Sequence, residues 1–139
     1  MQNSRLIMYH KQGYSARTVF LRLNDTVCYP ESLPARSQVS ESQREASQTV
    51  PYPPTLIADT ERQLGLSSGT LQMEADFQAK VAGSDSPINV YLASFTTVDP
   101  PDQQIAEIDG RFIAITEARS LPPAELELLR LAYSFILDD

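Results

Sequence analysis

The stretch LQMEADFQAKV, residues 71–81, alternates without exception between apolar and polar side chains. A period of two residues is typical of a β-strand with one face on a core and the other in water. The next apolar run, INVYLASFTTV at 88–98, follows a Gly-Ser-Asp-Ser turn and carries apolar residues on both of its faces. That pattern is typical of a central strand. The two segments together predict an antiparallel hairpin, which restricts the chain to folds with a sheet at their centre.

Further strands are predicted on either side of this hairpin. The runs RLIMYH at 5–10 and RTVFLRL at 17–23 are joined by a turn-like segment and form a second candidate hairpin. A short strand including Val27 and Tyr29 follows an Asn-Asp turn signal. The run RFIAI at 111–115 is predicted to be one more strand.

Two segments have the spacing and end signals of helices. The first is predicted at about 54–64, where two prolines suit the opening turn and Gly65 followed by Leu66 suits a left-handed stop. The second is the C-terminal segment LPPAELELLRLAYSFILDD, whose apolar stripe at helical spacing comprises Leu128, Leu131, Ala132 and Phe135. The predicted fold class is α+β, with a mostly antiparallel or mixed sheet packed against two helices.

The length of 139 residues predicts a single domain spanning 1–139. Within it, the segment at about 31–53 is rich in Ser and Gln and poor in apolar side chains. Such a composition buries too little surface to offset the entropy of ordering, so a polar mobile loop is predicted there.

The charge balance limits the kinds of partner. With 18 acidic and 11 basic residues, the chain has a formal charge of −7. This charge predicts that the protein does not bind nucleic acid through broad contacts with its phosphates. There is no apolar window of the roughly 18 residues needed to span a membrane, so no membrane association and a cytoplasmic location are expected. Cys28 is the only cysteine and is expected to be a small buried apolar group.

The order of the later segments resembles the second half of the Nudix hydrolase domain. In that order a helix and a Gly-Leu pair precede two strands, an acidic Pro-rich loop, a strand and a final helix. Four pieces carry the resemblance: RQLGL at 62–66, VYLASF at 90–95, QIAEIDGRFIAITEA at 104–118 and PPAELELLRLAYSFIL at 122–137. The resemblance implies a Nudix-like fold.

In that family the Nudix box gathers carboxylates on one helix face to hold a divalent metal, which bridges a pyrophosphate and activates water. Placing the end of the box on Gly65 and Leu66 puts Arg62 and Gln63 where the box has its Glu pair. Asp59 is then the only acid kept at a box position. The resemblance therefore implies a degenerate box, and the loss of two carboxylates makes a metal site at this helix less favourable.

The main functional hypothesis is a non-catalytic interaction domain that uses no cofactor and binds a protein partner or a second copy of itself. The alternative is a divergent, Mg²⁺- or Mn²⁺-dependent Nudix-type nucleotide pyrophosphohydrolase drawing on Asp59, Glu61 and Glu107, with Asp59 and Glu61 as its metal ligands. The simpler interpretation of these acids is that they are solvated surface charges. A further alternative is a small-molecule binding module. The single histidine, His10, is predicted to be a hydrogen-bonded residue at the end of a strand.

Overall fold

The computed structural model describes the larger part of the chain. The described residues are 4–11, 17–23, 25–29, 33, 38–39, 55–74, 77, 79–82, 88–99 and 101–138. The predicted mobile loop at 31–53 lies almost entirely outside these residues. Within it, residues 38–39 form a short strand.

The centre of the molecule is one mixed sheet. Seven strands lie within the described residues: β1 Ser4–Lys11, β2 Thr18–Leu23, β3 Gln38–Val39, β4 Leu71–Met73, β5 Ala79–Ala82, β6 Ile88–Phe95 and β7 Gly110–Ile113. Their order is β3-β5-β6-β1-β2-β7, and β4 also pairs with β6. Only β1 and β6 run parallel to each other, while the remaining pairs are antiparallel. The predicted α+β class with a mixed sheet is confirmed.

Helices cover both faces of this sheet. They are α1 Leu56–Leu64, α2 Asp102–Ala106 and α3 Pro123–Asp138, and a 3₁₀ turn spans Ile115–Glu117. One core lies between the sheet and the pair α1 and α2, and it includes Leu6, Leu56 and Ile105. The other lies between the sheet and α3, and it includes Ile7 and Leu128. None of the helices in the described part of the chain is long and apolar enough to cross a membrane.

The helix α2 was not anticipated from the sequence. It has only five residues and begins directly after Pro101, in a segment that the prolines mark as a break in the sheet. So short a helix shows no apolar periodicity. It is held instead by Ile105, which is fully buried in the core beneath α1.

Both predicted hairpins are present, but the segment 71–81 differs from the simple strand that its alternation predicts. It forms two strands, β4 and β5, which both pair with β6. From the pair Met73–Ala93 to the pair Ala79–Val90, the chain advances six residues on one side and three on the other. The excess of three is odd, and an odd excess reverses which face of the sheet each side chain occupies.

This reversal distributes the apolar side chains of the segment between the two cores. Leu71 and Met73 belong to the core beneath α1, whereas Phe77, Ala79 and Val81 belong to the core beneath α3. The prediction of one apolar and one wet face along the whole of 71–81 is therefore wrong. Between its halves, Phe77 N donates to Glu74 O at 3.1 Å.

The predicted glycine stop of α1 is confirmed in detail. Gly65 has a φ of 74°, in the left-handed region. The N–H of Leu66 donates to Glu61 O at 2.8 Å, and the N–H of Gly65 donates to Arg62 O at 3.3 Å. These two bonds form a Schellman motif, and the buried Leu66 side chain anchors the chain after the helix.

We expect Gly65→Ala to lower the free energy of unfolding by about 1 kcal/mol, because a Cβ is disfavoured in the left-handed region. Nothing lies within 4 Å of the position that a Cβ would occupy, so the loss measures backbone conformation and not a clash. The matched control is Gly65→Asn, since Asn tolerates the left-handed region better. Urea unfolding checks both variants, and equal losses for Ala and Asn would contradict the assignment.

Candidate functional site

The exposed side of α1 carries Asp59, Arg62 and Gln63, the residues that the resemblance places at positions of the Nudix box. Arg62 donates from Nη2 to Asp59 Oδ1 at 2.5 Å, as an ion pair three residues apart along the helix. The Arg62 side chain is 73% exposed and the Asp59 side chain is 32% exposed. Pairs of this kind on a helix surface contribute only about 0.3–0.5 kcal/mol, so either partner can exchange for another ligand at little cost.

Tyr29 extends this surface from a different part of the chain. Its phenol donates a hydrogen bond to Gln63 Oε1. Burial raises the pKa of Tyr29 above its ordinary value, and the Asp59 carboxylate adds to the rise. The phenol therefore remains protonated at neutral pH and acts as a donor. We call Tyr29, Asp59, Arg62 and Gln63 the α1 surface cluster.

The backbone around Tyr29 explains how it reaches α1. Leu6 and Tyr29 exchange backbone hydrogen bonds of 2.8 and 3.0 Å, so Tyr29 forms a bridge with the central strand β1. The predicted short strand including Val27 and Tyr29 does not form: Tyr29 makes an isolated bridge, and Val27 lies in a bend. The contribution of Tyr29 to the α1 surface was not predicted, because nothing in the local sequence links Tyr29 to a helix that begins many residues later.

Glu61 lies close to Asp59 in sequence but has a different environment. It is buried, and its Oε2 accepts hydrogen bonds from Gly69 N at 3.0 Å and Leu71 N at 2.9 Å. The interpretation of Glu61 as a solvated charge on the outer face is therefore wrong. Its carboxylate connects α1 to the start of β4, where it accepts from two backbone donors, one of them the buried N–H of Leu71.

Glu107 is exposed at the C-terminal end of α2. Among the residues that the structure describes, no group of three or more His, Cys, Asp or Glu side chains could hold a metal ion. Asp59, Glu61 and Glu107 accordingly do not form such a group. The single carboxylate of the α1 surface cluster is bound to a cationic side chain, so the described donors do not fit a resident divalent cation.

A second buried carboxylate, that of Glu125, lies on the other side of the sheet. Glu125 is fully buried in the first turn of α3. Its Oε2 accepts from Thr26 Oγ1 at 2.8 Å and its Oε1 accepts from Val27 N at 3.1 Å. The same hydroxyl of Thr26 accepts from Cys28 N at 3.0 Å. Glu125 therefore does more than complement the dipole at the start of α3: it fixes the segment that leads into Tyr29.

His10 and Cys28 are not members of the α1 surface cluster, and Cys28 belongs to the core beneath α3. His10 is fully buried, and its Nε2 donates to Thr97 O at 2.8 Å, which confirms the predicted hydrogen-bonded histidine at a strand end. Burial, with a smaller effect of the Glu125 charge, raises the pKa of the Cys28 thiol to about 12. Because the thiolate is the reactive form, Cys28 is a packing residue, as predicted, and not a nucleophile.

We expect Glu61→Ala to lower the free energy of unfolding by about 2–3 kcal/mol, because two backbone N–H groups lose their acceptor. The matched control is Glu127→Ala, which removes an exposed carboxylate from α3. Urea unfolding measures both. A loss as small as that of the control would mean that Glu61 is not the acceptor these donors depend on.

We expect the Cys28 thiol to resist an aromatic disulfide reagent in the native protein at pH 8 and to react fully in concentrated urea. A pKa of about 12 leaves only about one thiolate in 10,000 at that pH, and the side chain is buried. Absorbance of the released aromatic thiol gives the extent of reaction. Rapid labelling of the native protein would contradict this assignment.

The fold of this chain is similar to that of a solved structure. The chain is similar to the crystal structure of C. elegans Ap4A hydrolase, with a TM-score of 0.54, 18% sequence identity and coverage of 96% of each chain. No family model matches the sequence, and no curated protein matches it. The likeness extends over nearly the whole of both chains and shows that this protein has a Nudix-like fold.

Proposed function

We propose that the protein is a divergent Nudix-type hydrolase that acts on a phosphoanhydride bond of a nucleotide at the exposed side of α1. The observation that carries this proposal is the similarity to an Ap4A hydrolase over 96% of both chains. Because one fold can host many functions, the proposal also needs a surface with suitable chemistry. The α1 surface cluster supplies that surface.

Asp59 is the acidic group of the proposed site. It is partly exposed, and within the described residues it forms an exposed ion pair with Arg62. Mg²⁺ in nucleotide enzymes is commonly bound through one or two carboxylates together with substrate phosphates and waters. The proposal therefore assigns Mg²⁺ or Mn²⁺ to the incoming nucleotide complex and assigns no step to a resident metal centre.

The proposal treats α1 as the helix of a degenerate Nudix box. Arg62 and Gln63 stand where the family's box has a pair of glutamates, and Asp59 keeps an acid. Fewer carboxylates mean weaker attraction for a free cation, so turnover is expected to be slow and to need high cation concentrations. Diadenosine tetraphosphate heads the substrate panel because the similar structure is an Ap4A hydrolase.

A non-catalytic interaction domain of the same fold is the second candidate. The observation that favours it is the pairing within the cluster, where Arg62 neutralises Asp59 and Tyr29 occupies the Gln63 amide oxygen. In that case the partner would be another protein or a second copy of the chain. Size-exclusion chromatography with light scattering detects a second copy directly.

We expect the protein to hydrolyse at least one member of a panel of diadenosine polyphosphates, nucleoside triphosphates and nucleotide sugars in the presence of Mg²⁺ or Mn²⁺. Asp59→Asn should lower that rate at least about tenfold, because it removes the one carboxylate of the cluster. The matched control is Glu127→Gln, which neutralises an exposed acid on α3 and should leave the rate unchanged. Chromatography of the products measures the rates.

The same panel decides between the two candidates. A productive nucleotide together with its cation should raise the Tm, since ligands that bind the folded state stabilise it. If no nucleotide is turned over and none raises the Tm, the hydrolase proposal is wrong and the interaction domain is preferred. If Glu127→Gln lowers the rate as much as Asp59→Asn, the α1 surface is not the site.

A further inference from the structure

We propose that Arg62 binds the phosphate oxygens of the nucleotide directly, so that binding does not require a divalent cation. This inference rests on the proposed function, because it specifies how the same surface would hold its substrate. It separates two events: binding, which depends on Arg62, and hydrolysis, which depends on a cation brought with the substrate.

The α1 surface cluster carries no net charge. The charges of Asp59 and Arg62 cancel, Gln63 is neutral, and Tyr29 stays protonated. A surface of several carboxylates would repel a polyphosphate unless a metal lay between them. The cluster lacks that repulsion, so an anion can approach it without an intervening metal ion.

Arg62 has more hydrogen-bond donors than its contact with Asp59 uses. A guanidinium carries five N–H donors in a rigid fork that matches two phosphate oxygens. The contact with Asp59 joins one terminal nitrogen to one carboxylate oxygen. With 73% of the side chain exposed, the rest of the fork is open to solvent and to a ligand.

The groups next to Arg62 also favour the binding of an anion. Asp59 restrains the Arg62 side chain, which lowers the entropy that a ligand must remove on binding. The Tyr29 hydroxyl donates to the oxygen of the Gln63 amide, so the amide nitrogen supplies two more donors on an exposed residue. Arg62 and Gln63 therefore carry donors at the two consecutive positions where a Nudix box would have acceptors.

The buried acid of α1 does not oppose this binding. Glu61 lies between Asp59 and Arg62 in sequence, but its carboxylate accepts hydrogen bonds from the backbone of Gly69 and Leu71.

The overall charge of −7 does repel anions at long range. Moderate salt should strengthen binding because it screens this repulsion, whereas high salt should weaken binding because it screens the contact with Arg62. At close range the second effect should dominate.

The test is isothermal titration of the protein with inorganic tripolyphosphate and with diadenosine tetraphosphate, each in excess EDTA and again in Mg²⁺. We expect binding in EDTA for both probes. Arg62→Ala should weaken it at least about tenfold, and Arg62→Lys should weaken it less, because a lysine keeps the charge without the fork. The matched control, Arg130→Ala, removes an exposed arginine from α3 and should change nothing.

A charge-reversing variant gives the opposite readout. Arg62→Glu places a second carboxylate beside Asp59, so we expect it to lose binding in EDTA and to recover it in part when Mg²⁺ is added. Arg62 is exposed, so the fold should tolerate the change, and an unchanged Tm confirms this. Equal affinities of Arg62→Glu and the unaltered protein in EDTA would overturn the inference.

The remaining outcomes distinguish this inference from the proposed function. Binding and turnover that occur only with Mg²⁺ would overturn the inference and leave the hydrolase proposal standing. Absence of both binding and turnover under all conditions would overturn both. Equal weakening by Arg62→Ala and Arg130→Ala would show that the attraction is not localised at α1, and would also overturn the inference.

Discussion

The strands β1 and β6 lie side by side and parallel, in register from Ser4–Asn89 to Tyr9–Ser94. Both strands are buried along most of their length, so each must direct apolar side chains to both of its faces. In β1, Leu6 points to the core beneath α1 and Ile7 to the core beneath α3. Helices must cover both faces of such a pair, and every other strand of the described residues pairs with it directly or through one neighbouring strand.

Two buried carboxylates connect the helices to this centre. Glu61 joins α1 to the backbone at the start of β4, and Glu125 joins α3 to the backbone at Val27. In both cases a charged side chain accepts from main-chain N–H groups, an arrangement that is stronger than a neutral hydrogen bond and costly to break. Tyr29 then extends from the segment held by Glu125 to Gln63 on α1, so the candidate site depends on contacts from both sides of the sheet.

Much of the fold was predictable because its signals are local. Alternation identified the hairpins, and the stop of α1 followed from Gly65 and Leu66. The parallel pairing of β1 with β6 was not predictable, since it joins distant segments that have no shared local pattern. For the candidate site, the positions of Asp59, Arg62 and Gln63 could be identified by counting back from the glycine.

The environments of the acids could not be predicted in the same way. Glu61 and Glu125 resemble ordinary helix-surface acids in sequence, and only the tertiary fold shows which backbone donors face them. Tyr29 joins the site through a contact with residues far away in sequence. Spacing within one segment reveals which side chains share a face, but it does not reveal what that face meets.

The change of face between β4 and β5 restricts how this chain can vary in length. The three extra residues opposite β6 place Val81 beneath α3 and leave Leu71 beneath α1. If β5 shifted by one residue along β6, Lys80 would turn toward a core and Val81 away from it, whereas a shift of two residues would preserve both orientations. A length change of one residue must therefore be absorbed in the connection between β4 and β5, whereas a change of two can also be absorbed by a shift of the strand.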